Sequence, residues 1–298
     1  MKLGWVAALL AAGCVGRAGA GDVGAVDQSL AVCAAGPVVK GIDISHYDGA
    51  IDWAKVKASG IDFAFMKATE TTTFVDPTFA DNWKAAGAAG VIRGAYHFLR
   101  PEVDATAQAD FFVATAGVPA AGDLPLALDL EVTDMLSGAA VAASAKTFLA
   151  RVQEKTGRVP VVYTSASFWT TIGSPAATPF DSYALWDAHW TTNCPNVPTA
   201  WMGWTFWQNS SMGTVPGISA AAVDLDQFNG SLAQLQDYVG ASVDGGTDDG
   251  GMGGDDAGVM SNAHQGCAMS GSASASSSWF LWMVAALIGL QLRRARRA

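Results

Sequence analysis

From Gly41 onward, short apolar runs that end in polar residues alternate with stretches of helical character, and this alternation constrains the fold more than any other feature. The runs at 41–45, 63–67, 91–98, 126–131 and 159–163 have the length and content of buried strands. Between them, the stretches at 53–59, 79–89, 105–116 and 139–156 predict helices. Strands separated by helices pair in parallel through right-handed crossovers, so the expectation is an α/β sheet or barrel. Beyond Tyr163, the runs at 185–186, 204–208 and 222–226 predict strands with little helix between them. A barrel that begins as β/α units and closes with plain strands fits this order. In such folds chemistry collects at the carboxyl ends of the strands. Asp43, Lys67, Tyr96, Asp129, Glu131 and Tyr163 all fall at or near those ends.

The chain has 298 residues, 50% hydrophobic and 15% charged, which is enough to bury a substantial core in one domain with attached segments. Its formal net charge of -10 argues against nucleic-acid binding, which needs a basic face to offset phosphate. Eleven tryptophans, most of them between Trp53 and Trp207, supply indoles either for a core or for stacking on sugar rings.

Four segments are expected. Residues 1–20 read as an export signal, with Lys2, an apolar run from Leu3 to Val15, and Ala18-Gly19-Ala20 at the cleavage site. A lipoprotein processing site at Cys14 is the alternative. Residues 38–240 form the folded domain. Residues 241–265, rich in Gly, Asp and Ser, read as a flexible acidic spacer without the spacing of a calcium loop. Residues 266–298 contain an apolar stretch from Trp279 to Leu292 followed by Arg293, Arg294, Arg296 and Arg297. With Gly266-Cys267 ahead of it, this tail resembles the C-terminal sorting tails of myxobacterial surface proteins. A plain single-span anchor is the alternative, and in either case the arginines stay cytoplasmic and the folded domain lies outside. Export permits disulfides. Cys14 belongs to the leader and Cys267 to the tail, so Cys33 and Cys194 are the pair expected to bridge, the alternative being two free thiols.

In Leu128-Asp129-Leu130-Glu131 the acids alternate with leucines, so on a strand they share one face, with α-carbons roughly 6.5–7 Å apart. Cleaving a glycosidic bond needs a proton donor for the leaving oxygen and a negative or nucleophilic group near the anomeric carbon, and two carboxyls in one cleft suffice. Like charges held so close push one pKa upward, which is what a general acid at neutral pH needs. A solvated edge strand gives the same pattern. Asp43 and Asp224 also terminate apolar runs, however, so four carboxylates are candidates for one mouth.

Taken in order, Val39-Lys40-Gly41-Ile42-Asp43-Ile44-Ser45, Ile51-Asp52-Trp53, Phe65-Met66-Lys67-Ala68-Thr69-Glu70, Gly94-Ala95-Tyr96-His97-Phe98, Asp129-Leu130-Glu131, Pro160-Val161-Val162-Tyr163-Thr164, Leu185-Trp186, Trp207-Gln208 and Val223-Asp224-Leu225-Asp226 resemble the successive motifs of glycoside hydrolase family 25. These are the Chalaropsis-type lysozymes, or N-acetylmuramidases. The resemblance implies a modified TIM-like (β/α)5(β)3 barrel of the α/β class. It also implies hydrolysis of the β-1,4 bond between N-acetylmuramic acid and N-acetylglucosamine in peptidoglycan glycan strands. Glu131 stands where the family has its general acid, and Asp129 where a carboxylate orients the substrate acetamide or stabilises the cation. Asp43 and Asp224 match supporting carboxylates, while Tyr96, Tyr163, Trp186, Trp207 and Gln208 match cleft-lining positions. Lys67 reads equally as a substrate ligand or a structural ion-pair partner. Covalent and acetamide-assisted routes both stay open. The implied enzyme is an exported monomer, secreted or held at the cell surface, that uses no cofactor or metal and acts on the acidic side of neutral.

Two departures from the family pattern stand out. Thr71 replaces the usual Gly after the Lys-Ala-Thr-Glu block, so the following loop is in question. Asp187 follows Leu185-Trp186 where an apolar residue is common. His46 and His189 lack the clustered spacing of a zinc site, and no Gly-x-Ser-x-Gly nucleophile elbow appears. The rival readings are a wall-binding module without turnover and a hydrolase of another N-acetylated glycan such as chitin.

Overall fold

The computed structural model describes residues 29–240. The expected export signal, spacer and C-terminal tail lie outside these residues. Among the described residues, no helix is long and apolar enough to cross a membrane.

Eleven strands and six α-helices follow one another in the described chain. The strands are β1 (Leu30–Ala31), β2 (Val39–Ile44), β3 (Phe63–Glu70), β4 (Phe74–Val75), β5 (Ile92–Phe98), β6 (Ala127–Asp129), β7 (Val161–Thr164), β8 (Ala184–Ala188), β9 (Asn196–Val197), β10 (Phe206–Gly213) and β11 (Val223–Phe228). The helices are α1 (Trp53–Ala58), α2 (Phe79–Ala88), α3 (Ala105–Ala116), α4 (Gly138–Thr156), α5 (Ala166–Thr171) and α6 (Leu232–Gly240). Asp52, Asp104, Ser137 and Ser165 cap α1, α3, α4 and α5, each accepting a backbone N–H of the first turn.

The main sheet runs β2-β11-β10-β8-β7-β6-β5-β3, and β3 returns to pair with β2, which closes an eight-stranded barrel. Neighbours from β2 through β10 pair in parallel, whereas β11 runs antiparallel to both β10 and β2. Strands β2, β3, β5, β6 and β7 are each followed by a helix, and β8, β10 and β11 close the ring, giving a (β/α)5(β)3 barrel. The fifth helix, α5, was not evident in the sequence. Its segment, Ala-Ser-Phe-Trp-Thr-Thr, is poor in helix formers, and the Ser165 cap and the buried Trp169 hold it in place.

Alternation along the strands divides the apolar residues into two cores. Outward-facing side chains such as Ile42, Met66, Leu128, Leu130, Val162 and Leu185 pack under the helices with Phe112, Phe148 and Trp169. Inward-facing Phe63, Phe65, Phe206, Phe228 and Trp186 fill the barrel itself. Gly41 and Gly94 make room for this plug: a Cβ at Gly41 would run into the Phe63 ring, and one at Gly94 into Phe65 and Leu124. The aromatic plug fills the lower barrel, and most cleft-lining polar residues lie above it, toward the carboxyl ends of the parallel strands and the amino end of β11.

At the barrel's flank, β1 pairs with β9, Cys33 is disulfide-bonded to Cys194, and Trp204 Nε1 donates to the Val32 carbonyl at 2.8 Å. The N-terminal segment is thereby fastened to the loop after β8.

Candidate active site

A cleft of about 730 Å³, counting space open to solvent, lies at the carboxyl ends of the parallel strands. Asp43, Lys67, Tyr96, Asp129, Glu131, Tyr163, Trp186, Gln208 and Asp224 all line it, joined by Ser45, Phe98, Trp190 and Ser211. Each strand contributes through its period-two alternation. Asp129 ends β6 and Glu131 follows two residues on, so both point inward while Leu128 and Leu130 point to the helices. Backbone bonds from Leu99 N to Asp129 O (3.0 Å) and from Leu130 N to Tyr163 O (2.9 Å) fix this segment between its neighbours. Asp43 and Asp224 are direct partners across the β2–β11 ladder, which places their side chains on one face.

Gln208 organises this floor. Its Nε2 donates to Asp43 Oδ2 at 2.6 Å, and its Oε1 accepts from both Tyr163 Oη and Trp190 Nε1 at 2.9 Å. The amide expected to meet sugar polar groups is thus engaged largely within the protein.

The two tryptophans expected at the cleft are placed differently. Trp207 does not reach the cleft. Gln208 faces inward, so its neighbour must face outward, and Trp207 packs against Trp204 in the outer core while its Nε1 donates to the His189 carbonyl. Trp186 lies at the cleft floor but is only 1% exposed: its ring stacks on Phe65 at 4.3 Å and meets Tyr163 edge-on at 4.7 Å, so its faces are taken. Trp190, 37% exposed at the rim, offers an indole instead. Sequence reasoning missed it, although a tryptophan just past a strand's carboxyl end is the signal that marks it.

Asp226 was also overlooked. It lies beneath Asp224 on the same face of β11 and is fully buried, with Oδ1 accepting from Trp186 Nε1 at 2.8 Å. Burial, reinforced by the Asp224 carboxylate, pushes its carboxyl well above the usual range, while Trp186 and Asp43 pull it down. Burial therefore favours the neutral form of Asp226, so the carboxylates above rest on a group that adds little charge of its own.

Lys67 is both cleft-lining and ion-paired. Its Nζ lies 2.7 Å from Glu70 Oε2 in a buried pair and 4.9 Å from the Phe98 ring centroid. Glu70 also takes Arg100 Nε at 2.8 Å, and Arg100 reaches on to Asp134 at 3.1 Å. That chain of charges pins the loop after Glu131, where Asp134 and Met135 both adopt left-handed backbone (φ 45° and 61°). Thr71 does the same at φ 54°, the conformation glycine takes freely, so the loop keeps a glycine-like turn despite the substitution. His97 sits outside the barrel wall, buried between Thr69 Oγ1 (2.7 Å) and Gln108 Oε1 (3.1 Å), and has no part in the cleft.

Carboxylates converging at the strand ends of a closed barrel, with tyrosines and an indole around them, define a glycoside hydrolase of the barrel type. The profile of the family described as Glycosyl hydrolases family 25 matches residues 42–218. Lysozyme M1 of Streptomyces globisporus is 42% identical over 211 residues, covering 66% of this chain and 70% of that protein. The N,O-diacetylmuramidase of Chalaropsis sp. is 36% identical over 212 residues, covering 66% and 97%. Among solved structures, the bacterial lysozyme from Streptomyces coelicolor superposes with a TM-score of 0.65 at 40% identity, covering 68% of this chain and 97% of that one. The chain belongs to glycosyl hydrolases family 25.

Proposed function

We propose that the chain is an exported N-acetylmuramidase that hydrolyses the β-1,4 bond between N-acetylmuramic acid and N-acetylglucosamine in peptidoglycan. The observation that carries this reading is the convergence of Glu131, Asp129, Asp43 and Asp224 on one cleft. The names of the similar proteins, a lysozyme and an N,O-diacetylmuramidase, support the substrate.

Glu131, half-buried at the cleft edge, delivers its proton to the glycosidic oxygen as the bond to the muramic acid anomeric carbon breaks. Asp129, buried beside it, stays ionised and either orients the substrate acetamide or stabilises the developing oxocarbenium ion. Glu131 then takes a proton from the water that adds to the anomeric carbon, and muramic acid is left with a new reducing end. Asp43 and Asp224 hold the floor's charge and geometry. Because one carboxyl must carry a proton and its partner must not, activity peaks on the acidic side of neutral and falls away on both sides.

Export is supported by the signal-like residues 1–20 and by the Cys33–Cys194 disulfide, which belongs to an oxidising compartment. The tail at 266–298 engages membrane or sorting machinery, which keeps the enzyme at the surface or delivers it outside.

The test is clearing of purified cell walls. Wild type should reduce turbidity and release reducing ends, and Glu131→Gln should bind walls without clearing them. Binding by wild type without release would instead support the wall-binding module.

A further inference from the structure

We propose that Tyr47, His46 and Phe74 form a second sugar-stacking platform, which holds a pyranose ring of the same glycan strand away from the scissile bond. The proposal rests on the muramidase reading and extends it beyond the cleft.

The platform is continuous with the cleft. Ser45 lines the cleft, and His46 and Tyr47 follow it directly in a short 3-10 helix, His46–Asp48. Phe74 opens β4, which folds back on the end of β3 with Phe74 opposite Glu70. The Lys67 ammonium lies between two rings, 4.9 Å from Phe98 inside the cleft and 5.5 Å from Phe74 outside it. His46 bridges the outer rings, its centroid 3.9 Å from Tyr47 and 5.8 Å from Phe74.

Folding does not account for these rings. Tyr47 is 41% exposed and Phe74 36%, and neither belongs to either core. They are nevertheless held firmly. His46 places both its backbone N–H (2.9 Å) and Nδ1 (2.8 Å) on Oδ2 of the buried Asp76, whose Oδ1 accepts from Thr78 N and Oγ1 at 2.9 and 2.7 Å. Asp48, buried, accepts from Ser45 N at 2.8 Å and fixes the start of the turn. Exposed rings on a rigid, internally bonded support lose little entropy when a ligand covers them. The apolar face of a pyranose suits such a surface, where His46 joins two exposed rings into one place for it. A linear glycan with one bond in the cleft must carry further rings past its edge, so the occupant is the substrate strand itself.

The experiment compares the full chain with a Tyr47→Ala/Phe74→Ala double variant on two substrates: soluble glycan strands tens of sugars long, and a tetrasaccharide of two repeats. The ratio of kcat/KM on long strands to that on the tetrasaccharide should fall about 5- to 10-fold, chiefly through KM on the long strands. A Tyr47→Phe/Phe74→Tyr variant, which keeps both rings, should restore the ratio. An unchanged ratio, whether both activities fall together or neither moves, would overturn the proposal. If wild type cleaves neither substrate, the muramidase reading fails, and co-sedimentation with insoluble peptidoglycan judges the platform instead. Weaker retention of the double variant upholds it, and equal retention overturns it.

Discussion

Gln208 reaches over β11 to donate to Asp43 at 2.6 Å, joining β10 to β2 at the mouth of the barrel. The same amide accepts from Tyr163 and Trp190, so one side chain sets the position of a carboxylate, a phenol and an indole. Gln208→Leu should therefore lower kcat on cell walls by roughly 10- to 100-fold, since misplacing groups around the reacting bond weakens transition-state contacts. Stability should fall by about 1–3 kcal/mol because Tyr163 and Trp190 lose an acceptor. Steady-state kinetics and denaturant unfolding check the two effects separately.

Burial favours a neutral Asp226, whose Oδ1 accepts from Trp186 Nε1. An asparagine offers the same acceptor and donor without a titratable proton. Asp226→Asn should keep activity within about 3-fold of wild type, whereas Asp226→Leu should lose at least about 10-fold and unfold at a lower temperature. Equal losses in the two variants would contradict the neutral-acid assignment.

Two buried groups outside the cleft set opposing slopes in stability with pH. Burial pushes Asp187, whose carboxyl oxygens meet no donor among the described residues, up to about 8. Between about pH 4 and 8 the unfolded chain ionises this group while the folded chain does not, so stability falls as pH rises. Burial holds His97 down at about 4 despite its bond to Gln108. The unfolded chain protonates it below about pH 6.5, so stability falls as pH drops from there through 4. Between about pH 4 and 6.5 the two slopes oppose and cancel, so melting temperature should stay level there and fall from about pH 6.5 to 8 as the Asp187 slope acts alone. Asp187→Val, which restores an apolar residue to the outer core, should gain about 2–4 kcal/mol at pH 8 and much less at pH 4. Thermal melts from pH 4 to 9 check the shape.

The Cys33–Cys194 bridge closes a loop with a sequence separation of 161 residues and fastens the N-terminal segment to the barrel flank. Replacing both cysteines by serine should lower stability by about 2–5 kcal/mol, with most of the effect in the unfolded chain. Denaturant unfolding of oxidised, reduced and Cys33→Ser/Cys194→Ser protein should place the last two together.

The barrel was legible in the sequence where burial and alternation coincide. The runs around Asp43, Phe65, Tyr96, Leu128 and Val162 are too apolar to be anything but covered strands, and their polar ends converge in the cleft. Family motifs alone were a poorer guide to orientation. Trp207-Gln208 was read as a lining pair, yet neighbours on a strand face opposite ways, and only Gln208 points inward. Trp186 shows a second limit, since a residue facing the cleft can still have both ring faces covered by residues distant in the chain. Asp226 and Trp190 escaped notice because their roles depend on partners distant along the chain or across strands, Trp186 and Gln208, that no local pattern pairs with them.

The chemistry of Glu131 is tested most directly by the ends it creates. Purified peptidoglycan digested with wild type and with Glu131→Gln should be reduced with borohydride and the fragments analysed by mass spectrometry. Wild type should release muropeptides with reduced muramic acid at the terminus, and Glu131→Gln should release almost none. Fragments ending in reduced N-acetylglucosamine, or release by Glu131→Gln at the wild-type rate, would contradict the assignment.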